Sequence, residues 1–272
     1  MPNIDLLILG ILQGMTEFLP LGSSGHLLVA PQYYCWAEPG LAMQLAALAG
    51  AVAAAMLYFV GDLAGMAQGV LKVLQGKRDG RVRLIGLLLV TAIPYLALAL
   101  ALQIYAPAAL QTPLAVGAAL VGFGVLLYGA DKLGLTVRRV EHMTFGQALM
   151  IGIFQCFAVI PGAGGTCLTI ISARVLGFER PDAVRLAVLL TIPILLATIG
   201  YKAWLYYAAG LPAVDWTQAI LVFGAAAVSG FLAIAFLSYW VRRGGFLPFV
   251  LYRIAIGLAI LAAFVLSTGP SC

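Results

Sequence analysis

Long runs of apolar residues dominate the chain, with short polar segments between them. A transmembrane helix needs about 20 mostly apolar residues. Six runs come close to or exceed that length, at residues 41–60, 84–105, 114–130, 183–207, 217–240 and 247–267. The pattern predicts an all-α membrane protein with six transmembrane helices.

Two further segments, residues 4–30 and 145–177, each have two short apolar arms around a centre rich in Pro, Gly and Ser. Neither arm is long enough to cross a membrane. Irregular backbone at membrane depth is tolerated only where protein or a water-filled cavity surrounds it. We therefore expect two re-entrant helical hairpins, each entering and leaving on one side.

The two hairpin segments resemble each other. Residues 10–13 read GILQ and residues 152–155 read GIFQ, and a proline and a glycine-rich turn follow each. Three predicted spans follow each hairpin, so the second half should lie upside down relative to the first. We expect one integral membrane domain, residues 1–272, built as inverted-topology repeats of about 1–135 and 140–272.

The composition supports a membrane protein: 63% of the 272 residues are hydrophobic and 9% are charged, against roughly 25% charged in soluble domains. The net charge of +5 comes from basic segments at 72–83, 132–139 and 242–243, whereas 106–113 and 208–216 contain no Lys or Arg. Basic loops are typically cytoplasmic. We interpret the charge as this orientation signal and expect no nucleic-acid partner.

The cysteines and the N-terminus add two expected absences. Cys35, Cys156, Cys167 and Cys272 show no CxxC or CxxxH spacing, so we expect neither a disulfide framework nor a zinc site. The N-terminal segment lacks a basic start and its apolar run contains Glu17, so we expect no signal peptide.

The densest polar cluster lies in the first hairpin. Placing the Glu17 carboxylate at membrane depth costs about 2.5–3.5 kcal/mol, so it needs a partner, a proton or a metal ion. Ser23, Ser24 and His26 follow within ten residues, and a serine with a histidine offers a nucleophile and a base. Gly25 and its neighbours let the backbone approach an anion. The cluster is typical of a phosphate site.

Simpler interpretations stay open for each residue. His26 could be a packing residue, Ser23 or Ser24 could cap a short helix, and Glu17 could form a structural ion pair. Gln13 could bond neighbouring helices or belong to the site. The second hairpin turn could form an anion-binding nest or only a tight turn; its residues are Gly162, Gly164, Gly165 and Thr166.

Residues 13–26, QGMTEFLPLGSSGH, resemble the first signature of undecaprenyl-diphosphatases of the bacitracin-resistance type, (E/Q)GxTEFLPxSSxGH. The segments 143–148, 151–155, 246–249 and 252–257 extend the resemblance through the chain. It implies spanning and re-entrant helices in inverted repeats. It also implies hydrolysis of undecaprenyl diphosphate to undecaprenyl phosphate and inorganic phosphate, which recycles the lipid carrier of cell-wall peptidoglycan synthesis and underlies bacitracin resistance.

The same resemblance implies roles for particular residues. Glu17 would bind metal or transfer protons, Ser23 would be the nucleophile, and His26 would be the base or acid. A divalent cation, Mg²⁺ or Ca²⁺, would be held by Glu17 and Gln13. The phosphate-binding candidates are Ser24, Gly25, Gly162, Gly164, Gly165 and Thr166. The partner would be a polyprenyl diphosphate lipid in the cytoplasmic (inner) membrane, with the site facing its outer side. A homodimer is a candidate assembly.

The chain departs from the family pattern at three positions. The second signature resembles PGxSRSG, but Gly164 and Gly165 stand at its serine and arginine positions, and Gly22 replaces the first serine of the first signature. An arginine would clamp a diphosphate with paired hydrogen bonds. We therefore hypothesise that another arginine reaches the phosphate: Arg174, Arg185 or Arg253.

Two other classes of function compete with the hydrolase. A lipid-phosphate binding or flipping protein would keep the fold without hydrolysis, and the missing arginine favours it. An ordinary small-solute transporter would explain the repeat but not the polar cluster around Glu17.

Overall fold

Helices account for almost all of the regular structure in this computed structural model, which describes residues 3–34, 39–77, 79–105, 112–134 and 137–266. Within those residues the only β-type pairing is an isolated bridge between Arg138 and Phe178. The predicted all-α class is confirmed. The α-helices are α1 (Asn3–Phe18), α2 (Ser23–Tyr34), α3 (Leu41–Tyr58), α4 (Val60–Leu74), α5 (Gly80–Tyr105), α6 (Pro113–Leu133), α7 (Phe145–Gln155), α8 (Gly165–Val175), α9 (Arg180–Ala208), α10 (Trp216–Trp240) and α11 (Leu247–Val265).

Six of these helices, α3, α5, α6, α9, α10 and α11, are long and apolar enough to cross a membrane. They coincide with the six predicted runs, so that prediction is confirmed. The predictions about Cys35, Cys272 and residues 106–111 lie outside the described residues. The protein is a multi-pass membrane protein.

Helix α4 is a difference from the predicted pattern. The run at 41–60 was expected to end in a basic loop, but the chain bends at Phe59 and continues as α4, which carries Lys72 in its last turn. The exposed side of α4 mixes apolar and charged residues, and its buried positions are Met66 and Gly69. The sequence pattern missed it because an amphipathic helix has no continuous apolar run.

Each hairpin segment forms two short helices joined by a turn: α1 with α2, and α7 with α8. Helix α1 packs against α10, and α7 packs against α5. Gly10 and Gly152 make these contacts close, because an added Cβ would lie 2.7 Å from the Val222 carbonyl oxygen and 2.5 Å from the Thr91 carbonyl oxygen, respectively. The matched GILQ and GIFQ segments therefore pack in equivalent ways.

A buried carboxylate fastens one end of the bundle. The Asp131 side chain, at the end of α6, accepts from Arg180 Nε at 2.6 Å and from the Phe246 N–H at 3.2 Å. Arg174, at the end of α8, lies 3.6 Å from the same carboxylate and donates to the Phe178 carbonyl at 2.6 Å. The ends of α6 and α8 are thereby joined to the starts of α9 and α11.

A second ionic cluster lies at the start of α9. Arg185 pairs with Asp62 on α4 and, at 2.6 Å, with Glu141 in a 3₁₀ turn before α7. The hydrogen bond from Arg185 holds the pKa of Glu141 below its ordinary value. The pair joins α4 to the lead-in of the second hairpin.

Candidate active site

The turns of the two hairpins lie directly against each other. Gly22 and Gly164 have φ angles of +89° and +79°, in the region that glycine enters without strain. A Cβ added to Gly164 would lie 2.9 Å from Gly22 Cα, and one added to Gly22 would lie 2.5 Å from the Gly162 carbonyl oxygen. The contact between the turns therefore requires glycine at both positions.

Hydrogen bonds fix this contact. The Gly162 N–H donates to Ser24 Oγ at 3.3 Å. Arg253, which is 0% exposed, donates to the carbonyl oxygens of Pro20 (3.3 Å), Gly162 (2.8 Å) and Ala163 (3.1 Å). One guanidinium from α11 thus bridges both turns.

The three arginines considered as phosphate ligands lie in different parts of the fold. Arg174 and Arg185 are engaged in the ionic clusters described above, away from the turns. Only Arg253 lies where the hairpins meet. Its hydrogen-bond partners among the described residues are all carbonyl oxygens. No carboxylate among those residues pairs with its positive charge.

Glu17 stands next to the turns at the end of α1. Gln13 Nε2 donates to Glu17 Oε2 at 2.8 Å, and the Ser23 side chain lies beside the same carboxylate. Thr166 Oγ1, in the first turn of α8, donates to the Glu17 backbone carbonyl at 2.5 Å. Side chains from both hairpins therefore meet around Glu17.

His26 is held by two partners. Its Nδ1 lies 2.9 Å from the Gly22 carbonyl oxygen and its Nε2 lies 2.9 Å from the Tyr252 hydroxyl. A carbonyl oxygen can only accept, so Nδ1 carries the proton and Nε2 accepts from Tyr252 when the ring is neutral. The two rings also stack, with centroids 5.7 Å apart.

This geometry pairs Ser23 with Glu17 rather than with His26. The predicted catalytic residues do lie around one turn, because Ser23 and His26 are both in the first turn of α2. A proton leaving the Ser23 hydroxyl would pass directly to the Glu17 carboxylate. His26 contacts Gly22 and Tyr252 instead and could act on another oxygen of a ligand.

The predicted phosphate-binding residues fall into two groups. Ser24 and Gly162 are hydrogen-bonded to each other. Gly25 packs against Gly162, because a Cβ added to Gly25 would lie 2.8 Å from Gly162 Cα. Gly165 and Thr166 form the first turn of α8, beside Glu17. The start of an α-helix leaves N–H groups without intrahelical acceptors and attracts anions.

Sequence reasoning missed the contact of Tyr252 with His26. These residues are 226 positions apart, so no spacing rule connects them. The signal within reach was the neighbouring Arg253, because an ionisable residue inside a predicted span marks a functional site by default.

The oxygen atoms around Glu17 suit a hard cation. Carboxylate and amide oxygens are ligands that Mg²⁺ and Ca²⁺ prefer, and Mg²⁺ is often held by one or two carboxylates with substrate phosphates and water. Glu17 supplies the carboxylate. The side-chain amide of Gln13, whose nitrogen donates to Glu17, supplies the amide oxygen. Among the described residues no cluster of three or more His, Cys, Asp or Glu side chains forms.

The fold and this site define a class: an integral-membrane protein in which two helical hairpins enclose a carboxylate, a serine and a histidine. Residues 6–259 match the family described as bacitracin resistance protein BacA, and the chain belongs to that family. It is 38% identical to undecaprenyl-diphosphatase 1 of Rhodospirillum rubrum, over 95% of this chain and 94% of that protein. It is also 38% identical to the undecaprenyl-diphosphatase of Maricaulis maris, over 97% of this chain and 100% of that protein.

Family membership gives the departures at Gly22 and Gly164 a physical explanation. These two glycines replace serines of the family pattern and contact each other. A side chain on either would strike the backbone of the opposite turn.

Proposed function

We infer that this protein is an undecaprenyl-diphosphatase, a phosphoanhydride hydrolase that converts undecaprenyl diphosphate into undecaprenyl phosphate and inorganic phosphate. The observation that carries this function is the meeting of Glu17, Ser23 and His26 where the two hairpin turns touch, with Thr166 of the second hairpin hydrogen-bonded to the Glu17 carbonyl. The family relatives that match nearly the whole chain are named undecaprenyl-diphosphatases. The product lipid returns to peptidoglycan synthesis as a carrier.

The pairing suggests how the chemistry proceeds. Glu17 takes the proton of the attacking group, which is the Ser23 hydroxyl or a water molecule in its place. The new P–O bond forms at the terminal phosphorus, and the bond to the bridging oxygen breaks. His26 in its imidazolium form gives the Nε2 proton to that leaving oxygen, while its Nδ1–H stays bonded to the Gly22 carbonyl. Where Ser23 attacks, a water molecule then hydrolyses the phosphoserine, which releases inorganic phosphate and restores the serine hydroxyl. General acid and base groups of this kind contribute about 10²- to 10⁴-fold each.

Positive charge at the site comes from two sources in this proposal. Arg253 supplies a buried charge that no carboxylate offsets among the described residues, in place of the arginine absent at position 165. A divalent cation, Mg²⁺ or Ca²⁺, would be held by Glu17 and Gln13 and would neutralise charge that develops on the phosphate oxygens.

The membrane arrangement completes the proposal. The basic segments favour loops in the cytoplasm, which supports a site that faces the outer side of the inner membrane. The hairpins re-enter the membrane in two inverted halves of about 1–135 and 140–272, supported by the equivalent packing of Gly10 and Gly152. A homodimer is the proposed assembly, and light scattering of the protein in detergent would test it.

The experiment compares hydrolysis with binding of the same lipid. In the purified Glu17→Gln and His26→Ala variants, the rate of phosphate release should fall about 10²-fold or more. Both variants should still bind undecaprenyl diphosphate. Glu179→Gln and His142→Ala are matched controls on residues outside the site and should retain activity. A wild-type protein that binds the lipid without releasing phosphate would instead favour the binding or flipping function.

A further inference from the structure

One buried amide in the second hairpin has an unused donor. Gln155, the last residue of α7, is 4% exposed, and its Oε1 accepts from Thr169 Oγ1 at 2.8 Å. Its Nε2 points to the start of α8, where a Cβ on Gly165 would lie 2.7 Å from it. In the part of the chain that the structure describes, no acceptor meets this nitrogen. A ligand with an acceptor oxygen could therefore use this N–H.

The surroundings of this nitrogen favour an anion. Helix α8 is 11 residues long, and its N-cap residue, Gly164, makes no side-chain capping hydrogen bond. Within the described residues, the N–H groups of Gly165 and Thr166 have no hydrogen-bond acceptor. The positive end of the helix and the Gln155 Nε2 therefore lie side by side.

This place adjoins the proposed reaction centre. Thr166 Oγ1 donates to the Glu17 carbonyl at 2.5 Å, so the first turn of α8 lies against the end of α1. An anion held at the start of α8 would lie beside the Glu17 and Ser23 pair. On the side of Gln155, an anionic oxygen bound there would meet the Nε2 donor, because Oε1 is turned to Thr169.

We propose that Gln155 is a phosphate-binding residue: its Nε2, together with the N–H groups of Gly165 and Thr166, binds oxygens of the terminal phosphate of the lipid diphosphate. The absence of a side chain at Gly165 leaves the room that the amide needs. This inference rests on the proposed function for the identity of the ligand. The anion site itself rests on the donors alone.

The sharpest variant leaves Gln155 unchanged. In Gly165→Ala, the added Cβ would meet only the Gln155 amide within 4 Å. Alanine also favours a helix relative to glycine. The variant should therefore be at least as thermally stable as the wild type, yet bind phosphate about tenfold more weakly, because the amide is displaced. Gly146→Ala, in α7 with no atom within 4 Å of the added Cβ, is the matched control and should bind phosphate normally.

Gln155→Glu and Gln155→Met test the donor directly. Both keep the approximate size of the side chain and remove the N–H, and the first adds a negative charge. The affinity for inorganic phosphate should fall about tenfold in Gln155→Met and further in Gln155→Glu, where tenfold corresponds to about 1.4 kcal/mol. Gln68→Met, on the exposed side of α4, is the control.

Two readouts separate this proposal from the proposed function. The first is the rise in unfolding temperature that inorganic phosphate causes in detergent, which needs no turnover. The second is KM and kcat for undecaprenyl diphosphate. Stabilisation by phosphate that depends on Gln155 supports the anion site, whether or not the wild type hydrolyses the lipid. A wild type that hydrolyses no lipid would defeat only the proposed function. Wild-type hydrolysis with unchanged phosphate affinity and unchanged KM in all three variants, or no stabilisation of the wild type by phosphate, overturns the assignment of Gln155.

Discussion

Replacing Gly22 by alanine tests whether the contact between the two hairpin turns sets the geometry of the active site. The added Cβ would lie 2.5 Å from the Gly162 carbonyl oxygen, whereas ordinary contacts begin at about 3.5 Å. The turns must therefore separate by roughly 1 Å. Misplacement of that size can reduce catalysis by about 10²-fold, and we expect that loss in phosphate release.

A second glycine separates this collision from backbone strain. Gly76 also has a positive φ, +78°, but no atom lies within 4 Å of its added Cβ. Both alanine variants bear the cost of a left-handed conformation, about 1–2 kcal/mol. Only Gly22→Ala should also lose phosphate release, and its unfolding temperature should fall further than that of Gly76→Ala. Equal activities for Gly22→Ala and Gly76→Ala would refute the idea that the turns position the site.

Three further predictions concern charge. Arg253→Lys keeps the charge but not the bridge between the turns, so it should retain more phosphate release than Arg253→Met; equal losses would mean that the charge does not matter. Asp131→Asn leaves two guanidinium groups without their carboxylate and should cost about 3–5 kcal/mol of stability, seen as a large fall in unfolding temperature; a change of only a degree or two would contradict the role of this buried group. Arg185→Gln should cost less than about 1 kcal/mol at pH 7. The pKa of Glu141 is lowered in the folded protein, so the contribution of the Arg185–Glu141 pair is present above the ordinary carboxyl pKa of about 4.3. It is lost as the pH falls through the lower pKa of the folded protein, and a difference in unfolding temperature that persists undiminished in strong acid would argue against it.

The apolar pattern was sufficient for the six spans and for the two pairs of short helices, because the length and composition of a helix are local properties. The re-entry of these pairs into the membrane stays a prediction. It was insufficient for α4, where apolar and charged residues mix within 15 residues. The polar cluster from Gln13 to His26 correctly located the residues that gather around the first turn. That success also reflects locality, since these residues lie on one hairpin.

The remaining features of the site depend on contacts between distant parts of the chain. Ser24 bonds to Gly162 across 138 positions, and Arg253 bonds to Pro20 across 233. A single sequence contains no distance information of that kind. It could offer Arg253 as one of three arginines, but only the fold shows which of them lies at the turns.

The measurement that tests the central claim most directly is phosphate release from undecaprenyl diphosphate by the purified wild-type protein in detergent, first with Mg²⁺ and then with EDTA, with the lipid product identified. We predict metal-dependent release of one phosphate per lipid and accumulation of undecaprenyl phosphate, even though no arginine stands at position 165. Intact diphosphate lipid recovered after prolonged incubation with Mg²⁺ or Ca²⁺ would contradict the account, and the loss of the second-signature arginine would then mark a protein that binds the lipid without cleaving it.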